Sequence, residues 1–234
     1  AKIASLVALL GLTACASFAP AWGQASRSQH AVAKALTPAE LRGADDGAAV
    51  SSVRVMRVRI HVLPAYAAEI ADWPRQVSDL INDASAVLGP ALGVRLEIAD
   101  ASVWSARAKH DDLENVLEEL TRADSGEGVD WVVGLVGSIP RLEPSFAHLG
   151  LGRRPGKHFV MRAMNDAAEH DAIMRELDAL DEVERRRLYR ARKRHKATTV
   201  FLHELAHTLF VIHERDARSL MAPRYSARAD GYSA

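Results

Sequence analysis

His203, Glu204, His207, His213 and Met221 fall within one stretch, HELAHTLFVIHERDARSLMAPRY, residues 203–225. The pattern is H-E-x-x-H, a third His six residues after the second, and a Met eight residues beyond that. The segment Thr199–Phe210, with Phe201, Leu202, Leu205, Leu209 and Phe210, predicts a buried helix. On that helix His203 and His207 lie one turn apart and project from one face, so both imidazoles can bind one zinc ion at about 2.0–2.1 Å. Glu204 is rotated by about 100° from His203, which aims it at a water on the metal rather than at the metal. His213 cannot share the helical face, so the chain must turn and bring it back. Three neutral nitrogen ligands leave a fourth position for water, whose pKa zinc lowers to about 7. Glu204 can take its proton as it attacks a carbonyl. The set predicts a zinc-dependent hydrolase. Peptide bonds are the leading substrate, and a non-peptide amide or ester stays open. In a chain with ten histidines an H-E-x-x-H arises readily by chance. The third His at a fixed offset and the downstream Met make the set specific.

These residues resemble the signature of the metzincin metalloproteases, H-E-x-x-H-x-x-G-x-x-H followed by a Met-turn. Ser219-Leu220-Met221-Ala222-Pro223-Arg224-Tyr225 is similar to the matrixin branch, whose Met-turn runs A-L-M-Y-P with a Tyr two residues on. The resemblance implies His203, His207 and His213 as zinc ligands and Glu204 as the base. It implies Met221 as an apolar floor below the metal and Tyr225 as a wall of the substrate pocket beside the scissile bond. The implied activity is that of a zinc endopeptidase acting on protein or peptide substrates. In detail the likeness covers about 23 residues. It departs at Phe210, where the family has Gly. A Gly there suits a positive-φ turn and close backbone approach. A Phe flanked by Leu209, Val211 and Ile212 reads instead as core on a continued helix. That departure keeps a second function open, a catalytically degenerate zinc-binding lipoprotein acting as a binding or scaffold module. The intact Glu204 favours catalysis, since a purely structural site has no need of a base.

Lys2 precedes an apolar run, Ile3–Leu12, followed by Thr13-Ala14-Cys15. A short apolar run ending in small residues reads as a secretory signal, too short to span a membrane. Leu12-Thr13-Ala14-Cys15 resembles a bacterial lipobox. That implies cleavage before Cys15, lipidation of its thiol and, with Ala16 next, an export route ending in a lipid anchor at the outer membrane. The alternative is an ordinary signal cleaved after Ala21 or Ala25 and a periplasmic or secreted product. Cys15 is the only cysteine, so this stretch of chain forms no internal disulfide. A cysteine-switch latency like that of vertebrate matrixins has no propeptide thiol to use.

The elements that must position the site follow from hydropathy. Residues 16–52, rich in Ala, Ser, Gly and Gln, read as a flexible tether, with a short helix at Pro38–Arg42 capped by Thr37. The catalytic domain then spans 53–234. Met56, Val58, Ile60 and Val62 alternate as a strand. Trp73 to Leu88 is an amphipathic helix ending at Gly89-Pro90, and Val94, Leu96 and Ile98 mark a second strand. Leu113 to Leu120 is a short helix. Val129–Val136 reads as a central buried strand. Phe146–Leu151 and His158–Met164 are weaker strands about the turn Arg153–Gly156. A charged helical insertion occupies about 167–196, and eight Lys or Arg crowd its second half. That basic run reads either as a contact for anionic headgroups or as a solvated face balanced by nearby acids. The order predicts an α/β (α+β) fold with a twisted mixed sheet, a helix carrying the zinc motif and a short C-terminal subdomain, as in metzincins.

Composition sets the outer limits. Net charge is zero, which gives no steering toward nucleic acid. The hydrophobic share of 48% supports a real core. No phosphate-binding glycine loop and no G-x-S-x-G is present, so nucleotide binding and serine hydrolysis have no support.

Overall fold

A computed structural model describes residues 19–43, 53–107, 112–139 and 145–232. The signal-like run and Cys15 lie outside the described residues. The elements are α1 (Ala19–Leu36), β1 (Arg54–Val62), α2 (Pro64–Glu69), α3 (Trp73–Leu92), β2 (Val94–Val103), α4 (Leu113–Ala123) and β3 (Trp131–Val136). They continue with α5 (Phe146–Leu149), β4 (Gly150–Gly152), β5 (His158–Arg162), α6 (Ala167–Glu176) and α7 (Glu182–Thr208). No described helix is long and apolar enough to cross a membrane.

The α/β fold with a mixed sheet expected from the element order is the one that forms. The five strands run β2-β1-β3-β5-β4; neighbours are parallel except β4, which lies antiparallel to β5 at the edge. Every residue of β3 is buried, as its continuous apolar run requires of a strand covered on both faces. Alternate residues serve different cores. Trp131, Val133 and Leu135 face α3 and α7, packing with Val77, Leu80, Ile81, Ala84, Val87, Leu88, Phe201 and Leu205. Val132, Val136 and Val160 face α4, packing with Leu113, Val116, Leu117 and Leu120.

Several boundaries differ from the sequence expectation. Helix α3 does not stop at Gly89-Pro90. Pro90 is accommodated in its last turn, and Gly93, in the left-handed region at φ +64°, closes it. The segment expected as a strand at Phe146–Leu151 divides into the helical turn α5 and the short edge strand β4. Pro38–Arg42 is not helical; Thr37 instead ends α1, its hydroxyl donating to the Ala33 carbonyl. Within the stretch expected as a tether, Ala33 and Leu36 pack against Ile173, Leu177, Leu180 and Leu188. The Ala39 and Arg42 amides donate to the Ala227 and Asp230 carbonyls, at 2.7 and 2.6 Å.

The charged segment is not a separate insertion. Its first part forms α6 and a turn, and its second part is the first half of the 27-residue helix that carries the histidines. Nothing between Glu182 and Thr208 is Gly or Pro, so a change in composition is not a break in the helix. The Asp181 carboxylate accepts from the Glu184 amide and the Glu184 side chain accepts from the Asp181 amide, a reciprocal cap. Most basic side chains of this half have partners: Arg185 the Met174 carbonyl, Arg186 Glu182, Arg192 Glu169 and the Leu36 carbonyl, Arg194 Asp83. The balanced reading of the basic run is the one the contacts support.

Candidate metal centre

The last two turns of α7 place His203 and His207 on one face, and both are buried. The chain turns at Leu209 and Phe210 and returns His213 to them. Its Nε2 lies 3.1 Å from His207 Nε2 and 3.2 Å from His203 Nε2. Nitrogens about 2.05 Å from a tetrahedral ion are separated by about 3.3 Å, so the three are spaced to share one. The outer ring nitrogens are committed elsewhere. His203 Nδ1–H donates to the Leu220 carbonyl at 2.7 Å, and His207 Nδ1–H to the Val211 carbonyl at 2.8 Å. Both Nε2 atoms are therefore bare lone pairs facing His213, which has one hydrogen at most to offer two acceptors. A cation between the three resolves that repulsion. Among the described residues this is the His, Cys, Asp and Glu group placed to hold a metal ion.

Electrostatics agree with neutral ligands. Burial drives the His203 imidazole down to about 3 and the His207 imidazole to about 4. His213 is lowered too, by burial and by Arg154. Uncharged imidazoles are what a metal requires.

The turn at Ser219–Met221 ties the segment bearing His213 to the helix. Leu220 supplies the carbonyl that holds His203, and the Met221 carbonyl accepts the Glu214 amide at 2.9 Å, next to His213. Ser219 Oγ accepts the Met221 amide at 3.0 Å, and the Met221 side chain is fully buried. Phe146 stacks on His203 with ring centres 4.1 Å apart. From the sheet, the Trp131 indole donates to Thr208 Oγ1 at 2.9 Å and fixes the end of α7.

Glu204 lies under the edge strand. A Cβ on Gly150 would sit 2.5 Å from Glu204 Cγ, and one on Gly152 2.7 Å from the Glu204 carbonyl. Only glycine lets β4 approach this closely. Burial pushes the Glu204 carboxyl up to about 8, against Arg154 and the Gly152 amide, which donates to it and pulls it down. A cation held by the histidines adds to that downward pull.

Two expectations meet a different geometry. Phe210 is not core on a continued helix. The helix ends at Thr208, Phe210 takes φ +69°, and its ring is 64% exposed. The left-handed turn is built with a Phe where a Gly is free of strain. Tyr225, expected at the pocket wall, directs its hydroxyl to His195 Nδ1 at 3.0 Å, while His195 Nε2–H donates to the Ala229 carbonyl. His195 precedes His203 by eight residues, about 12 Å along the helix axis. The Tyr225 backbone stays close to the centre, because Arg224 bridges to Ser145, the residue before Phe146.

Sequence reasoning missed Gly150, Gly152, Phe146 and Arg154, and the two carbonyls that hold the imidazoles. The one available signal was the small residue at alternate positions of an edge strand, Gly150-Leu151-Gly152. His158, which has no ligand spacing, is buried and bonded to the Asp124 carbonyl at 2.7 Å.

No protein-family model and no curated protein matches the chain. Among solved structures it is similar to archaemetzincin from Methanopyrus kandleri, at 20% identity and TM-score 0.48, covering 79% of this chain and 92% of that one. It is similar to archaemetzincin from Archaeoglobus fulgidus in complex with malonate, at 15% identity and TM-score 0.44, covering 75% and 93%. Metalloproteinase-II from Bacteroides fragilis overlaps at 14% identity and TM-score 0.43, over 87% of this chain and 57% of that one. At this level of overlap, the chemistry rests on the side-chain geometry alone.

Proposed function

We propose that this chain is a zinc-dependent endopeptidase of metzincin type, acting on protein or peptide substrates. The observation that carries the reading is the convergence of three imidazole nitrogens, two of them bare, on a helix that also carries a buried carboxylate. His203, His207 and His213 would hold the metal. Zinc supplies Lewis acidity there, lowering the pKa of a water to about 7 and stabilising charge on a carbonyl oxygen. Glu204 accepts a proton from the attacking water as its oxygen bonds to the scissile carbon. It then delivers that proton to the amine nitrogen as the C–N bond breaks. Gly150 and Gly152 hold the carboxylate in place from above by contact and by the Gly152 amide. Leu220 and Val211 fix the tautomers that leave Nε2 free for a metal.

The degenerate-scaffold reading was motivated by Phe210. The turn there takes the conformation that a Gly would take, and the ligand spacing is kept. This favours the enzyme. The test is elemental analysis of the purified chain together with digestion of casein or gelatin with and without chelator. Stoichiometric zinc without chelator-sensitive digestion would leave the scaffold or a non-peptide substrate. For location, the proposal is export and a lipid anchor at Cys15 in a bacterial envelope. Mass spectrometry of the mature N-terminus checks it, and a start at Trp22 or Ser26 would exclude the anchor.

A further inference from the structure

The loop between the second and third histidines exposes four consecutive apolar side chains: Leu209 at 53%, Phe210 at 64%, Val211 at 37% and Ile212 at 74%. Phe210 adopts its left-handed conformation without burying its ring in return. The turn that returns His213 fixes that conformation and holds the ring out to solvent. Basic residues flank the run. The loop carrying Arg153 and Arg154 abuts its root, where the Gly156 amide donates to the Thr208 carbonyl at 3.3 Å. Arg154 is the neighbour of Arg153 in that loop, and Arg215 follows His213 by two residues. Arg153, Arg154 and Arg215 are exposed, and among the described residues none has a carboxylate partner. The acids nearest the run offset only Arg215, which Glu214 and Asp216 flank in the chain, and leave Arg153 and Arg154 uncompensated. Asp216 accepts the Arg218 amide, Glu214 has a partner of its own, and Glu204 is buried.

We propose that the Leu209–Ile212 loop, with Arg153, Arg154 and Arg215, is a contact for an anionic lipid surface. A short apolar ridge beside an arginine-bearing loop matches the boundary between acyl chains and acidic headgroups. A soluble apolar partner would have no use for the arginines, and a second copy of the chain would bring their charges together. The basic half of α7 is a poorer candidate, because most of its cations are spent on this chain's own acids and carbonyls. The contact is independent of the peptidase reading, and its test needs no turnover.

Cys15 is the only cysteine, so Cys15→Ser with Ile212→Cys in the full chain gives one labelling site. An environment-sensitive fluorophore there should brighten and shift to the blue with vesicles of phosphatidylcholine and phosphatidylglycerol. Phosphatidylcholine alone should give little change. The response should collapse at 1 M salt, where the Debye length is about 3 Å. It should fall when Arg153 and Arg215 are both changed to Gln. The same label on Val183→Cys, exposed at the other end of α7, should not respond, which separates this contact from binding through the N-terminal run. If the Ile212 variant folds poorly by circular dichroism, Leu209→Cys takes its place. Three results would each overturn the proposal: an unchanged label with anionic vesicles, an equal response to neutral ones, or a shift produced only by peptide or by rising protein concentration.

Discussion

Along α7 the half from Glu182 to Lys196 is held by side chains reaching outward, Arg192 to Glu169, Arg194 to Asp83 and Arg185 to the Met174 carbonyl. The half from Thr198 to Thr208 is buried at every position. There Phe201 meets Phe159 edge to face with ring centres 5.2 Å apart, and Leu202 and Leu205 enter the core. The first half is anchored mostly by polar contacts, several of them exposed, with Leu188 packed into a small apolar cluster. The second is anchored by packing that water cannot reach. A metal site needs the second kind, because a ligand displaced by even about 1 Å loses its geometry. The charged half serves as a splint that orients the helix and joins α1, α3 and α6 to it.

This contrast can be broken or sharpened at several points. The largest effect is expected at the chemistry. Glu204→Gln should retain metal and melting temperature but lose about 10²–10⁴-fold in peptide hydrolysis, since Gln cannot accept a proton. Full activity in a metal-loaded variant would remove Glu204 from the mechanism. Chelation should act on the buried half alone. Where free metal stands about a thousandfold above its Kd, removal costs about 4 kcal/mol. Hydrogen exchange should rise from about Ala197 through Met221 and stay unchanged before Lys196; a uniform rise would erase the distinction between the halves.

Within the charged half, Arg192→Ala should be the costly change. Its guanidinium and the Glu169 carboxylate are 13% and 11% exposed at 2.5 Å, and breaking such an interior pair costs about 3 kcal/mol. Denaturant titration would read that loss, and Glu169→Gln combined with it should recover part. Phe210→Gly should move the other way. Relief of left-handed strain, about 1–3 kcal/mol, outweighs the added unfolded-state freedom of about 0.4–1 kcal/mol. A net gain near 1 kcal/mol in chemical denaturation is expected; a loss would mean that the exposed ring contributes contacts of its own. Smallest of all is Arg186→Ala, whose partner Glu182 is as exposed as itself. Surface pairs of this type are worth under about 0.5 kcal/mol, so a melting shift much larger than that would show that the splint depends on rim charges.

The convergence of the three histidines was legible because its geometry is local. Two sit a helical turn apart and the third returns within six residues, so sequence spacing nearly equals spatial spacing. The strands were legible by alternation, in Val58, Ile60 and Val62 above all. The parts that escaped depend on long-range register or on backbone atoms. Gly150 meets Glu204 across 54 residues, and only the pairing of β4 with β5 decides that. Phe210 was misread because Leu209, Val211 and Ile212 look like core, whereas the end of α7 imposes a left-handed residue whatever its side chain. The unity of α7 was hidden by an abrupt change from charged to apolar composition, which alters a helix's surroundings and not its backbone. Residues 33–36 read as linker because Ala-rich sequence carries little signal until Leu177 and Leu188 cover it.

The tautomer locks on His203 and His207 are peptide carbonyls, those of Leu220 and Val211. A lock made from an Asp or Glu side chain can be deleted by one codon change. A carbonyl is supplied by every amino acid, so replacements at these two positions leave the acceptor in place provided the turn keeps its path. Mutational drift at 211 and 220 is thereby uncoupled from proton placement on the ligands. Selection acting on the electronic state of the centre has to operate through the shape of the two turns rather than through the identity of any residue in them.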